Sequence, residues 1–187
     1  MSTGFGLVFV LVVAAVVVAG FLAGLAADRR RRTRLRDRFG PEYERTVEAT
    51  GSRRAAEREL DARERRFAGL EIKPVPGEAR EQYARRWMRV QEEFVVRPEA
   101  AVHDADELVA ALMRDRGYPD EGYEQRLRDL SVRHGRALEQ YRTALEIYAM
   151  STHESATTEQ LRGAMMRYRT LFDDLLADGE PTGTRRS

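Results

Sequence analysis

Charged side chains are absent from the first 27 residues and frequent everywhere after them. Residues 5–27, FGLVFVLVVAAVVVAGFLAGLAA, form a run of 23 uncharged positions. At about 1.5 Å per residue a helix over this run reaches roughly 34 Å, against about 30 Å of bilayer hydrocarbon. The stretch from Leu7 to Val18 is apolar around its whole circumference, unlike an amphipathic helix that covers a core. The pattern therefore predicts one transmembrane helix over 5–27, preceded by a short N-terminus, 1–4. A cleaved secretory signal would carry basic residues ahead of a shorter apolar stretch. MSTG has none, and the basic residues lie behind the run, although AGLAA imitates a cleavage site.

After Ala27 the pattern becomes helical and amphipathic. Residues 28–71 read as an Arg-rich juxtamembrane and charged helical segment. Residues 29–38 continue the membrane helix until Phe39-Gly40-Pro41 breaks it, with Gly suited to a C-terminal cap and Pro to opening the next helix. A short helix over 42–49 ends at Thr50-Gly51-Ser52, and Ser52 can cap a helix over 53–70. That helix, RRAAERELDARERRFAGL, has only Ala56, Leu60 and Phe67 as an apolar seam. It reads as a solvated stalk or as a helix with one narrow contact face. Ile72-Lys73-Pro74-Val75-Pro76-Gly77 cannot be helical throughout, so 72–78 is the expected linker.

Residues 79–177 carry five amphipathic segments. Tyr83, Trp87, Val90 and Phe94 repeat at three and four. Pro98 opens a segment with Val102, Ala105, Leu108, Val109, Leu112 and Met113 on one face, stopped at Arg116-Gly117-Tyr118-Pro119. Tyr123, Leu127 and Leu130 mark the next, and Leu138, Tyr141, Leu145 and Tyr148 the one after. Thr157 with Gln160 forms a capping box ahead of Leu161, Met165, Tyr168, Leu171, Phe172 and Leu175. No stretch alternates with period two for long enough to form a strand. The expected fold is all-α: a single N-terminal transmembrane helix, charged juxtamembrane helices, a C-terminal helical bundle and a disordered tail, 178–187.

Charge refines this picture. The chain has 187 residues and a net charge of +1. Residues 28–38 hold seven Arg and two Asp, a net +5, so residues 39–187 sum to +1 − 5 = −4. A nucleic-acid binder would show its basic footprint on the folded domain, so no nucleic-acid partner is expected. Basic residues that flank a span stay on the cytoplasmic side. The expectation is a bacterial plasma-membrane protein with its N-terminus outside and its helical domain in the cytoplasm. Arg29, Arg30, Arg31, Arg32, Arg34, Arg36 and Arg38 are the expected membrane-surface residues, each worth about 1 kcal/mol near anionic lipid. Within the span, Ala19, Gly20, Ala23 and Gly24 share one small-residue face, with Gly20 and Gly24 as GxxxG. Homodimerisation through that face is expected.

Candidate chemistry is sparse. The absence of cysteine removes disulfides and thiolate metal sites. His103, Asp106 and Glu107 have metal-compatible helical spacing, but a polar helix face of this kind is ordinarily solvated charge. His153-Glu154 begins like HExxH, yet Thr157 stands where the second His is needed. His134 precedes Gly135 with no partner evident. There is no phosphate loop, dinucleotide fingerprint or nucleophile elbow. Trp87, the single tryptophan, and the pair Met165-Met166 read as core. No catalytic residue, metal or cofactor is expected, and the protein is not expected to be an enzyme.

The phrases RLRDRFGPEYERTV, AERELDARERRFAGLEIKPV, YARRWMRVQEEFVVRPEAAVHDADELVAALMRDRGYP and YEQRLRDLSVRHGRALEQYR together resemble an uncharacterised family of actinobacterial-type, membrane-anchored, Arg-rich helical proteins. The resemblance covers roughly residues 30–175 and implies the same architecture and a bacterial membrane. It carries no assigned activity and transfers no site residue. The expected function is that of a membrane-anchored, non-enzymatic interaction or scaffolding protein with an unidentified protein partner. The alternatives are a small-ligand or metal-responsive sensor, or an envelope-side or secreted helical domain if the apolar segment is a signal.

Overall fold

The structure is a computed structural model, and it describes residues 2–151 and 156–178. Among the described residues there are eight α-helices and no strand: α1 (Ser2–Phe39), α2 (Pro41–Thr50), α3 (Arg53–Ala68), α4 (Gly77–Val96), α5 (Pro98–Asp115), α6 (Tyr123–Arg133), α7 (Gly135–Ser151) and α8 (Thr158–Ala177). The protein is all-α. The chain divides into two compact units, Met1–Arg38 and Phe39–Ser187.

The first unit is α1. The apolar run and the arginines after it lie on one uninterrupted helix. Val16, Val17, Val18, Phe21, Leu22 and Leu25 are all exposed. Among the described residues no helix is long and apolar enough to cross a membrane. The apolar run of the sequence begins at Phe5, and the side chains of 5–15 lie outside the described set.

In the second unit α5 is central. Eight of its 18 residues are buried, and it packs against α4, α7 and α8. The buried faces of the other helices follow the periodicity that the sequence shows: Tyr83, Trp87 and Val90 on α4, Leu138 and Tyr141 on α7, and Leu161, Met165, Tyr168, Leu171, Phe172 and Leu175 on α8. α8 packs most extensively on α7 and starts at a capping box in which Thr157 accepts from the Gln160 N–H and the Gln160 side chain accepts from the Thr157 N–H. Pro98 opens α5 as the sequence indicates.

α2 and α3 belong to this same unit. α2 packs on α3 and α7, and α3 packs on α6. The seam of Ala56, Leu60 and Phe67 is buried, so α3 has the narrow contact face rather than the form of a free stalk. Ser52 occupies the N-cap of α3 in an extended conformation, but its hydroxyl makes no capping hydrogen bond. The segment between α3 and α4 is pinned inside the unit. The Lys73 N–H donates to the Arg116 carbonyl at 2.8 Å, and Val75 is buried. Gly117 makes this crossing possible: at φ +93° it adopts a conformation that favours glycine, and a Cβ there would lie 2.5 Å from the Glu71 carbonyl oxygen.

Five apolar positions expected in the core are not fully in it. Tyr123 and Met166 are exposed, and Phe94, Leu145 and Tyr148 are half-buried. At the other end of the chain, Asp178, expected to start a disordered tail, is fixed by Arg116 (2.6 Å) and Arg133 (2.7 Å). The remaining tail, 179–187, and the His153-Glu154 pair lie outside the described residues.

Candidate functional site

α4 and α8 both lie against α5. They meet where the Trp87 indole stacks on the Phe172 ring, with centroids 4.8 Å apart. Beside this stack their side chains line an open groove of about 410 Å³. α4 supplies Trp87, Gln91 and Phe94, and α8 supplies Arg162, Met165, Met166 and Arg169. These positions follow helical spacing on both walls, so each wall is one face of about two turns. The floor is aromatic and thioether. Met88 and Val95, one helical step outward from the α4 wall, are also exposed.

The charges that line the groove have one sign. Arg162 and Arg169 are the only ionised groups among the lining residues, and no carboxylate faces them from within the groove. Arg169 lies over both the Trp87 ring (5.3 Å) and the Phe172 ring (5.7 Å) and pairs outward with Asp173 at 2.7 Å. Arg162 pairs with Glu159 one turn back on its own helix. Such exposed i,i+3 and i,i+4 pairs are worth little and exchange readily for other carboxylates. Trp87 is 1% exposed, and its indole Nε1 is buried without a hydrogen-bond partner. Its role as a core anchor and its place at the wall of the groove are two sides of one ring.

The polar groups elsewhere are spent on holding helices together. Glu42, 4% exposed, accepts from Arg63 on α3 at 3.0 Å and from Arg142 on α7 at 3.0 and 3.1 Å. Arg116, 1% exposed, donates to the Lys73 carbonyl (3.1 Å), the Leu175 carbonyl (2.7 Å) and Asp178 (2.6 Å). His134 is buried, with Nδ1 at 2.7 Å from Asp174 and Nε2 at 3.0 Å from the Tyr118 hydroxyl. No local pattern announces these partners, because they come from the α5–α6 loop and from α8. Asp106 sits half-buried, where Tyr141 donates to it at 3.1 Å. Burial pushes its carboxyl upward, against the opposing hydrogen bond from Tyr141. Burial, reinforced by the Asp106 charge, pushes the Tyr141 and Tyr168 phenols upward in turn.

The three residues with metal-compatible spacing, His103, Asp106 and Glu107, are divided between separate contacts. His103 bonds to the Tyr148 hydroxyl at 2.8 Å and to Glu107 at 3.2 Å, whereas Asp106 is taken by Tyr141. Among the described residues no group of three or more such ligands gathers. On α1, Arg29, Arg30, Arg34, Arg36 and Arg38 are exposed, while Arg31 and Arg32 are half-buried. Arg32 pairs with Asp28 at 3.2 Å. Ala19, Gly20, Ala23 and Gly24 lie on an exposed stretch, with nothing within 4 Å of a Cβ placed on either glycine.

The fold and site together define an all-α unit with an open apolar groove. No family model, curated protein or solved structure matches the chain.

Proposed function

We propose that this protein is a single-pass membrane protein whose helical unit, residues 39–187, serves as a non-enzymatic docking or scaffolding module on the cytoplasmic face. The observation that carries the docking role is the groove between α4 and α8, whose apolar floor is open beside a well-packed core. Exposed apolar surface of this kind marks interaction sites. The membrane part rests on sequence: 23 uncharged residues followed at once by seven arginines in eleven positions. The exposed valines and Phe21 on α1 agree with it, because an apolar helix surface needs lipid or protein to cover it. The resemblance to membrane-anchored bacterial proteins points the same way. Anchoring would raise the concentration of the module near membrane partners, and the small-residue face of α1 would pair two copies.

Cell fractionation and labelling test this reading. The chain has no cysteine, so Ser187→Cys provides one label site. The full chain is expected in the membrane fraction after carbonate extraction, labelled by an impermeant maleimide only once cells are permeabilised. Recovery in the soluble fraction removes the anchor, and labelling in intact cells reverses the orientation.

A second reading, a small-ligand sensor, is favoured by one observation: about 410 Å³ lies within the range of small-molecule pockets. A thermal-shift panel of metabolites and metals separates the two. A reproducible stabilisation by one compound that Met166→Asp abolishes supports the sensor.

A further inference from the structure

We propose that the groove between α4 and α8 receives about two turns of an acidic amphipathic helix from a partner protein. This deepens the docking role above and rests on it. The walls of the groove are helix faces, and no strand exists among the described residues to offer an edge; two helical walls over an apolar floor fit a helix laid into a groove. Each wall presents positions seven residues apart, from Trp87 to Phe94 and from Arg162 to Arg169. At about 1.5 Å per residue that is roughly 10 Å, which matches apolar anchors at i, i+3 or i+4, and i+7 of an incoming helix. Met165 and Met166 give an adaptable floor.

The acidic character follows from charge. Residues 39–187 carry a net −4, yet the groove is lined by Arg162 and Arg169 with no carboxylate. Arg85, Arg86 and Arg89 stand on the neighbouring surface of α4, where they outnumber its one carboxylate, Glu92. A helix with Asp or Glu flanking its apolar stripe gains pairs along this edge, whereas a basic helix meets repulsion. Arg169, over the Trp87 and Phe172 rings and paired with the exposed Asp173, is held in place to donate to such a carboxylate in exchange for Asp173.

Trp87 is the only tryptophan in the chain and lines the groove, so its fluorescence reports occupancy directly. The full chain is reconstituted in phosphatidylcholine nanodiscs and titrated with two synthetic helical peptides. Both have Leu at i, i+3, i+4 and i+7. One has Glu at the remaining positions and the other has Lys. The expected result is a saturable change in Trp87 emission with the Glu peptide and at least tenfold weaker binding of the Lys peptide. Arg162→Glu combined with Arg169→Glu should reverse that order, with helicity checked by circular dichroism. Met166→Asp, at a position 63% exposed and so tolerated by the fold, should weaken Glu-peptide binding at least tenfold.

Equal binding of the two peptides, no saturable change with either, or a preference untouched by the charge reversal overturns the proposal. So does Trp87 emission that shifts with protein concentration alone and loses that dependence in Met166→Asp, because the occupant is then a second copy of the chain. A failed titration with the chain still in the membrane sinks the groove alone. A chain found outside the membrane that still binds the Glu peptide sinks the anchor alone.

Discussion

Glu42→Ala tests whether the charged N-terminal helices belong to the folded unit or merely lie beside it. The Glu42 carboxylate is 4% exposed and joins three helices, with Arg63 of α3 at 3.0 Å and Arg142 of α7 at 3.0 and 3.1 Å. Removing one member of a fully buried ionic group costs about 3–5 kcal/mol, because the charges left behind lose their compensation. Here the cost is lower. The Arg63 and Arg142 side chains keep 13% and 18% of their surface in solvent, and Arg63 retains Glu59 at 3.1 Å. A loss of about 2–3 kcal/mol is expected. With a urea dependence of about 2 kcal/mol per molar, the unfolding midpoint falls by about 1 M. The assay is urea unfolding of the full chain in detergent, followed by the emission of Trp87, which sits on α4. If α2 and α3 fold separately from the bundle, Trp87 will not register the substitution at Glu42. An unmoved midpoint would therefore refute the single unit. A second arm guards the electrostatic argument: Glu42→Leu with Arg63→Met and Arg142→Met should recover most of the loss, since apolar replacement of a buried ionic cluster is often close to neutral.

The helices were legible because their signals are local. Proline at the start of α2 and α5, the Thr157–Gln160 box and the three-four spacing of apolar residues each act within a few positions. The membership of α3 was not legible from its composition. Its acids and arginines suggest a solvated helix, yet Glu57 is buried under the Tyr43 hydroxyl at 3.0 Å. The Arg142 partner of Glu42 stands 100 positions away in sequence. No local rule pairs charges over that distance. The same holds for His134, whose partners Tyr118 and Asp174 lie 16 and 40 positions away. The groove was half visible. Trp87, Phe94 and Met165 fall on periodic apolar faces, and Met166 stands one position off the α8 face. Periodicity correctly gives those faces to the helices. It does not say how wide a strip of each face the neighbouring helix covers. That width depends on how α4 and α8 sit against α5, and it leaves Met166 in solvent while Met165 is buried.

Three further substitutions test the local arguments. Gly117→Ala places a Cβ at φ +93° and 2.5 Å from the Glu71 carbonyl oxygen. It should cost about 3 kcal/mol, read as a lower urea midpoint, and an unchanged midpoint would mean that the crossing does not constrain the unit. Thr157→Ala removes the cap of α8 and should cost about 1 kcal/mol, whereas Thr157→Ser should cost little; equal effects from the two would rule out the hydroxyl as the cap. Asp106→Asn should stabilise the protein at neutral pH. Burial raises the Asp106 carboxyl above the 3.8 of a free aspartate, so the folded state holds its proton more tightly than the unfolded state does. The stability this contributes is fully present below the unfolded value and is lost as pH rises through the folded one. The neutral amide escapes that loss. It can still accept from Tyr141, and its NH₂ can donate to the Tyr168 hydroxyl, which is buried without a full hydrogen bond in the native protein. One added hydrogen bond is worth about 1 kcal/mol. Thermal melts of both proteins between acid and neutral pH should show the gap opening as pH rises. A variant less stable at neutral pH, or a gap that does not change with pH, would mean that Asp106 is held as a satisfied carboxylate and that its burial costs the fold nothing.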